Sequence, residues 1–313
     1  MRKAYIFPGQ GSQFSGMGVE LYKTNSTAHE MFEIANEILD FRITDIMFSG
    51  TPEELKQTQV TQPAIFLHSV ILAECYQGLS DTVLAEKGLE RYEPTMVAGH
   101  SLGEFAALTV AKAISFEDAL KLVYIRANEM QKCCEKISGS MAAVIGLDDK
   151  VIEQICASCD GLVVPANYNF HGQVVISGEK IAVEQACSLA KKVGAKIHVL
   201  QVSGAFHSPL MQPAADQLER KMQDTKILNP ICPIYQNFSA LPETEPERIK
   251  TNLLKQLTHP VLWKSSVKNM MQNGADYFIE IGPGNVLQGL VKRISLEHLE
   301  GQSKIEVKGI ISL

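Results

Sequence analysis

Residues 97–105 read Val-Ala-Gly-His-Ser-Leu-Gly-Glu-Phe, with the pentapeptide Gly99-His100-Ser101-Leu102-Gly103 at the centre. Met96, Val97 and Ala98 ahead of it predict a short buried strand, and Phe105, Ala106, Leu108, Thr109 and Ala111 after it predict a helix. A serine on such a strand-to-helix turn has its hydroxyl held clear of the sheet, and the N–H groups behind it face an incoming acyl oxygen. Gly99 and Gly103 fit a turn where strand and helix approach too closely for a side chain. The chemistry this predicts is a covalent acyl-enzyme on Ser101.

On the N-terminal side, Ala4-Tyr5-Ile6-Phe7 reads as a strand running into the loop Pro8-Gly9-Gln10-Gly11-Ser12-Gln13. Helices are expected around 27–39 and 63–77, with Thr51 and Pro52 as N-cap and first residue of another. The strand at 95–99 then delivers Ser101. Strand, helices, strand, helix predicts an α/β fold with a parallel sheet covered by helices. The rhythm changes after Ser138-Gly139-Ser140. Met141–Gly146 reads as a strand, 148–158 as a helix, and Gly161–Ala166 and Gln173–Ser177 as strands joined by a turn over Asn167–Gly172. A helix over 179–193 and a strand over Lys196–Val202 follow. That βαββαβ order predicts a small ferredoxin-like domain over 138–203, inserted into a larger domain made of 1–137 and 204–313. Beyond Ser203-Gly204 the reading is helix over 209–224, a short strand within Pro230–Gln236, helices over 246–257 and 261–273, and a strand Tyr277–Ile281 ending in Gly282-Pro283-Gly284.

The chain has 313 residues, 45% of them hydrophobic and 20% charged, enough for a large globular core with a smaller one beside it. A net charge of −6 argues against a general nucleic-acid binder. Cys156 and Cys159 form a C-x-x-C, but no second pair stands at zinc-site spacing, so the expectation is reduced buried thiols and no metal. The apolar run at the N-terminus stops at Pro8, too short for a signal peptide, and no segment approaches a membrane span. A soluble cytoplasmic protein is expected.

A serine nucleophile needs a base, and histidine is the usual one. His100 adjoins Ser101, so its side chain leaves the turn in another direction. His207, in Ser203-Gly204-Ala205-Phe206-His207-Ser208-Pro209, sits where the small domain hands back to the large one, and is the candidate base. Its alternative role is a capping or core histidine. Ser115-Phe116-Glu117-Asp118 looks like a capping box opening a helix on which Ala119, Leu122, Val123 and Met130 share one face. Arg126 is on that same face. A guanidinium directed inward needs an anion: either a protein carboxylate or a carboxylate on the substrate. The glycine loop at 9–13 is not a Gly-x-Gly-x-x-Gly and lacks a P-loop lysine. The role expected for it is to lend the Gln10 N–H to an oxyanion hole shared with the Leu102 N–H.

With these residues in view, the chain resembles the malonyl-CoA:acyl carrier protein transacylase family, which includes the discrete enzymes of fatty-acid synthesis and the acyltransferases of polyketide synthases. The resemblance covers nearly the whole chain. It rests on Phe7-Pro8-Gly9-Gln10-Gly11-Ser12-Gln13, Thr61-Gln62-Pro63-Ala64, Gly99–Glu104, Met141–Leu147, Gly172–Gly178, Gln256-Leu257-Thr258-His259-Pro260-Val261 and Glu280–Gly284 in that order. It implies an α/β-hydrolase-like large domain carrying the ferredoxin-like insert. It further implies Ser101 as nucleophile, His207 as base and then acid, and the Gln256 backbone carbonyl as the group orienting that histidine. Gln10 and Leu102 then supply the oxyanion donors, and Arg126 holds the malonyl carboxylate. Phe206 falls where family members that select malonyl over methylmalonyl carry a bulky residue. One methyl is worth only about 1–3 kcal/mol, so this contact alone gives modest selectivity. Two departures are Phe105, where Tyr is commoner, and Val202-Ser203-Gly204, which points toward a stand-alone polyketide acyltransferase.

The implied reaction is ping-pong transfer of malonyl from malonyl-CoA to the phosphopantetheine thiol of an acyl carrier protein. No cofactor is implied, since malonyl-CoA is a substrate and phosphopantetheine belongs to the partner. Lys191, Lys192, Lys264, Lys268 and Arg293 are candidates for docking an acidic carrier. One rival is a hydrolase that clears acyl groups from carrier proteins, which has no use for Arg126. The other is a non-catalytic scaffold, which has no use for Ser101, His207, Arg126 and Gln256 together.

Overall fold

A computed structural model describes residues 2–91, 93–202, 204–298 and 305–313. Among the described residues the ten strands are β1 (Arg2–Phe7), β2 (Met96–Gly99), β3 (Gly139–Ile145), β4 (Val163–Phe170), β5 (Gln173–Glu179), β6 (Lys196–Val199), β7 (Ile234–Tyr235), β8 (Pro242–Glu243), β9 (Ala275–Ile281) and β10 (Glu306–Ile310). They form two sheets. The first has the order β10-β9-β1-β2-β7-β8 and is parallel except for its β7–β8 edge. The second has the order β4-β5-β3-β6 and is antiparallel throughout. The fold is therefore mixed α/β, with one mostly parallel sheet and one antiparallel sheet.

The parallel strands are short and apolar because both of their faces are covered. Along β1, Tyr5 and Phe7 enter a core shared with helices Ser26–Leu39, Thr58–Gly78, Gly103–Val110 and Phe116–Lys136. Ala4 and Ile6 enter a second core with Trp263, Val267, Met270 and Val291 on the other face. The antiparallel sheet buries Ala142, Val144, Val174 and Ile176 under its own helices, Asp149–Ala157 and Lys180–Lys192. Its opposite face carries Met141, Ala143 and Val175 toward the large core.

Several expected elements are longer, shorter or absent from the sequence reading. The helix expected from residue 63 begins at Thr58 and carries Pro63 inside it. The turn expected over Asn167–Gly172 shrinks to His171-Gly172, because β4 continues through Phe170. That stretch is polar, which suggests a loop, but its register shifts at 165–167 and 168–170 re-aim Asn167 and Asn169 into a cleft between the sheets. The strand expected to reach Val202 ends at Val199. The strand within Pro230–Gln236 is two residues long, since the prolines withhold ladder donors. Helices Val19–Thr24, Ile43–Ser49 and Val286–His298, and strand β10, go unread in the sequence. Thr51 forms a complete capping box with Glu54, whereas Ser115 accepts from the Asp118 N–H without a recorded return bond. Ser203, half of an expected domain crossing, lies outside the described residues.

Candidate active site

The register that pairs Phe7 with Gly99 brings the carboxyl ends of β1 and β2 side by side. The Pro8–Gln10 loop therefore lies against His100 and Ser101, at the end of the sheet where open α/β folds gather ligands. Close packing holds the turn. A Cβ on Gly99 would sit 1.9 Å from the Gly103 carbonyl carbon, and one on Gly103 would sit 2.1 Å from the Phe7 oxygen. Ser101 is left in a left-handed conformation, φ 52°, which a non-glycine residue adopts only when its surroundings over-determine it. Asn237 supplies much of that support. Its Oδ1 accepts from the Ser101 N–H at 2.6 Å, and its Nδ2 donates to the Gly99 carbonyl at 2.6 Å.

Ser101 Oγ is 2.8 Å from His207 Nε2. His207 Nδ1 lies 2.8 Å from the Gln256 backbone carbonyl. A carbonyl can only accept, so Nδ1 carries the proton and Nε2 is left to accept from the serine hydroxyl. Burial, then the nearby Arg126 charge, pushes the His207 pKa down to about 3, so the imidazole is neutral near pH 7. The histidine has φ 57° and sits on a turn pinned by the Ser208 hydroxyl, which donates to the Ala205 carbonyl at 2.6 Å.

Arg126 is 1% exposed. Its Nη1 donates to Gln62 Oε1 at 2.6 Å, and its Nη2 donates to Ser101 Oγ and to Gln256 Oε1, each at 3.1 Å. Its Nε is buried with no acceptor among the described residues. The guanidinium is thus surrounded by neutral acceptors rather than ion-paired. Burial pulls its pKa down to about 10, and it stays charged. The Glu104 carboxylate acts on it through space and opposes that shift.

These groups open into a cleft of about 380 Å³ between the sheets. Gln10, Leu102, Phe206, Asn167 and Asn169 line it, and Val286, Leu287 and Leu290 close one side. Neither the Gln10 nor the Leu102 N–H has a backbone acceptor among the described residues, and both residues line the cleft with Ser101. The Phe206 ring packs on Gly204, where a Cβ would come within 2.8 Å of it. His100 turns away from Ser101: its Nε2 bonds Asn169 Oδ1 at 3.1 Å and its ring packs on Trp263. The fold thus gathers every site residue expected from the sequence. It adds Gln62, Glu104, Asn169 and Asn237, which sequence reasoning left without roles. Gln62 and Glu104 had a signal, each being polar within an apolar helical run. Asn237 had none.

Of the expected docking cations, Lys264 pairs with Asp149, Lys268 pairs with Glu297 at 2.9 Å, and Arg293 stacks on Phe170. Lys191 and Lys192 are exposed with no ion-pair partner among the described residues. All seven cysteines are free. Among the described residues, no cluster of three metal-ligating side chains occurs and no helix is long and apolar enough to cross a membrane.

Comparisons with known proteins place the whole chain among relatives. The acyl transferase domain family matches residues 4–310. A Bacillus subtilis protein named malonyl CoA-acyl carrier protein transacylase is 41% identical over 296 residues, covering 93% of this chain and 90% of its own. The solved Coxiella burnetii malonyl CoA-acyl carrier protein transacylase superposes with a TM-score of 0.90 at 38% identity, covering 100% of this chain and 94% of its own. A malonyl-transacylase solved in complex with its type II polyketide synthase acyl-carrier protein superposes with a TM-score of 0.89 at 36% identity, covering 100% and 97%. With the match running over nearly its whole length, the chain belongs to the acyl transferase domain family.

Proposed function

We propose that this protein transfers malonyl from malonyl-CoA to the phosphopantetheine thiol of an acyl carrier protein, for fatty-acid or polyketide synthesis, through a malonyl-Ser101 ester. The observation that carries the substrate class is Arg126, whose buried Nη2 lies 3.1 Å from Ser101 Oγ. The carboxylate of malonyl is two bonds from the carbonyl carbon under attack, so a cation beside the nucleophile is where that charge must go. Unmatched burial of a carboxylate costs several kcal/mol, roughly, which a two-point guanidinium contact offsets. A hydrolase clearing uncharged acyl chains gains nothing from it.

In the first half-reaction Ser101 Oγ attacks the thioester carbonyl while His207 Nε2 takes its proton. The Gln10 and Leu102 N–H groups hold the oxyanion, and collapse breaks the C–S bond. The CoA sulfur leaves with the proton returned from His207. The carrier thiol then gives its proton to His207 and attacks the ester carbonyl, and Ser101 Oγ recovers the proton on leaving. The Gln256 carbonyl keeps Nδ1 protonated throughout, so the dyad needs no aspartate. Phe206 occupies the space an α-methyl group needs. No metal or redox cofactor has a step in this chemistry.

In this reading residues 1–137 and 204–313 form an α/β-hydrolase-like catalytic domain and 138–203 a ferredoxin-like insert. The order β4-β5-β3-β6 supports the second part, having the first and third strands of a βαββαβ unit at its centre. Gly139 lies against Ala205, where a Cβ would be 2.7 Å from the Ala205 nitrogen, which supports a chain leaving and returning at one point. The free thiols support a cytoplasmic location, and Lys191 and Lys192 are the cations left for an acidic carrier.

Intact-mass measurement after incubation with malonyl-CoA should show a malonyl adduct that is absent in Ser101→Ala. In Arg126→Ala, kcat/KM for malonyl loading should drop by roughly a hundredfold, the worth of two charged hydrogen bonds. Acetyl loading should improve relative to it. An unchanged malonyl-to-acetyl ratio overturns the assignment of Arg126.

A further inference from the structure

Glu104, the second residue of helix Gly103–Val110, is fully buried and is not part of the acyl-transfer chemistry above. Its carboxylate collects three N–H donors. Oε1 accepts from Gln236 Nε2 at 2.9 Å, and Oε2 accepts from the Asn237 backbone N–H at 2.9 Å and from Gln256 Nε2 at 3.0 Å. Both oxygens face donors only, which is the arrangement an ionised carboxylate requires. Burial pushes its pKa up, while these three bonds and the Arg126 charge act in the opposite direction.

Each donor has a second attachment. Gln256 Nε2 also meets the Ser101 carbonyl at 3.0 Å, while its Oε1 accepts from Arg126 Nη2 at 3.1 Å. Its backbone carbonyl is the acceptor for His207. Asn237 holds the Ser101 N–H and the Gly99 carbonyl. Gln236 in turn donates to the Ile249 carbonyl at 3.0 Å, and its Oε1 accepts from Asn252 on helix Pro246–Lys255, which leads to Gln256. One carboxylate therefore ties together the nucleophile turn, the segment that orients the base and the guanidinium.

We propose that Glu104 is a positioning residue for acyl transfer: through Gln256 and Asn237 its buried carboxylate sets the Arg126 guanidinium and the Ser101 turn in one frame. The proposal rests on the malonyl-transfer reading. Glu104 touches no reacting atom. A neutral amide in its place has one acceptor oxygen for three donors, so at least one donor turns away. If Gln256 turns, Arg126 loses an acceptor that fixes it. If Asn237 shifts, the Ser101 turn loses its support.

The test uses the full chain and measures acylation of Ser101 by malonyl-CoA and by acetyl-CoA in wild type, Glu104→Gln, Gln256→Leu and the double variant. Gln256→Leu removes the side-chain bridge and keeps the backbone carbonyl. In Glu104→Gln, folded by circular dichroism, the malonyl-to-acetyl ratio of kcat/KM should fall roughly tenfold, and the double variant should lose little more than the worse single one, as coupled residues do. A parent-like ratio in folded Glu104→Gln, or losses that multiply in the double variant, overturns the proposal. If Glu104→Gln does not accumulate folded, Glu104→Asp decides, since it keeps the charge but is one methylene too short to hold all three donors: a lowered ratio supports the proposal and a parent-like ratio overturns it. Absence of any malonyl adduct in the wild type sinks the malonyl-transfer reading instead, so the two failures are distinguishable.

Discussion

Arg126 affects two partners at once. In the proposed reaction it anchors a substrate carboxylate, and its charge is the second-largest cause, after burial, of the depressed His207 pKa. The sign of the substrate effect follows. A malonyl carboxylate on Arg126 offsets the positive charge that disfavours imidazolium, so His207 becomes a stronger base once malonyl is bound. The free enzyme holds His207 neutral with a pKa near 3, well below the ordinary value of 6.5. The acid limb of kcat/KM, which reports free enzyme, should therefore lie at lower pH than the acid limb of kcat, which reports the bound state. With acetyl-CoA, which brings no carboxylate, the two limbs should lie closer together. Pre-steady-state acylation in short pH jumps spanning about pH 2.5 to 8 measures this, and equal separation for both substrates contradicts the coupling. Serine, arginine and histidine each left a local trace in the sequence: a pentapeptide, a charge on an apolar helix face, a histidine at a domain return. Asn237 and the side chain of Gln256 left none. They act across 136 and 155 positions of chain on the Ser101 backbone, a relation that exists only once the fold has formed.

Elements were readable where one periodicity ruled and unreadable where two functions competed for the same residues. Tyr5 and Phe7 alternate with Ala4 and Ile6 between two cores, so β1 is legible at once. Asn167 and Asn169 serve the cleft from within a bulged strand, and their polarity disguises β4 as a turn. Helix Val286–His298 is partly exposed and opens without a serine or threonine cap. Instead Glu280, at the end of β9 and 0% exposed, accepts from the Leu287 and Gln288 N–H groups at 3.1 Å each. These bonds come from another element, so no local pattern announces them. The strand-to-helix packing around Ser101 gives a paired prediction. Gly103→Ala puts a methyl 2.1 Å from a backbone oxygen of β1, which no rotamer relieves. It should cost at least about 2–3 kcal/mol of stability, the upper part of the overpacking range, and abolish acylation. Gly289→Ala, on an exposed helix position with nothing within 4 Å, should stabilise by about 0.5–1 kcal/mol. Urea unfolding of the two variants checks both signs, and a tolerated Gly103→Ala refutes the steric account of the turn.

Across the whole molecule, buried neutral histidines tie stability to pH. His68, on helix Thr58–Gly78, is 1% exposed, and burial pushes its pKa down to about 4. Its Nδ1 has no partner among the described residues, and its nearest recorded ring contact is Phe14. Its folded pKa lies below the unfolded value of 6.5. Below pH 6.5 the unfolded chain therefore binds a proton that the folded chain refuses, until the folded pKa is reached. The contribution is fully present above pH 6.5 and is lost progressively as pH falls to about 4, at about 1.4 kcal/mol per pH unit. His207 adds a loss of the same sign that continues toward its lower value, whereas Glu104 and Glu280, whose pKa values burial raises, act with the opposite sign above pH 4.5. These other groups remain in a His68→Leu variant and cancel in the difference. Leucine matches the apolar surroundings and sacrifices no recorded hydrogen bond, so the variant should fold and should lose less stability on acidification. Urea unfolding of both proteins at pH 8, 7, 5.5 and 4.5 should give stabilities that differ by a constant amount at the two highest values and then diverge by about 1.4 kcal/mol for each pH unit below about 6.5. Parallel curves over the whole range would mean that His68 takes up its proton in the folded state as readily as in the unfolded one, and that helix Thr58–Gly78 admits water at its centre.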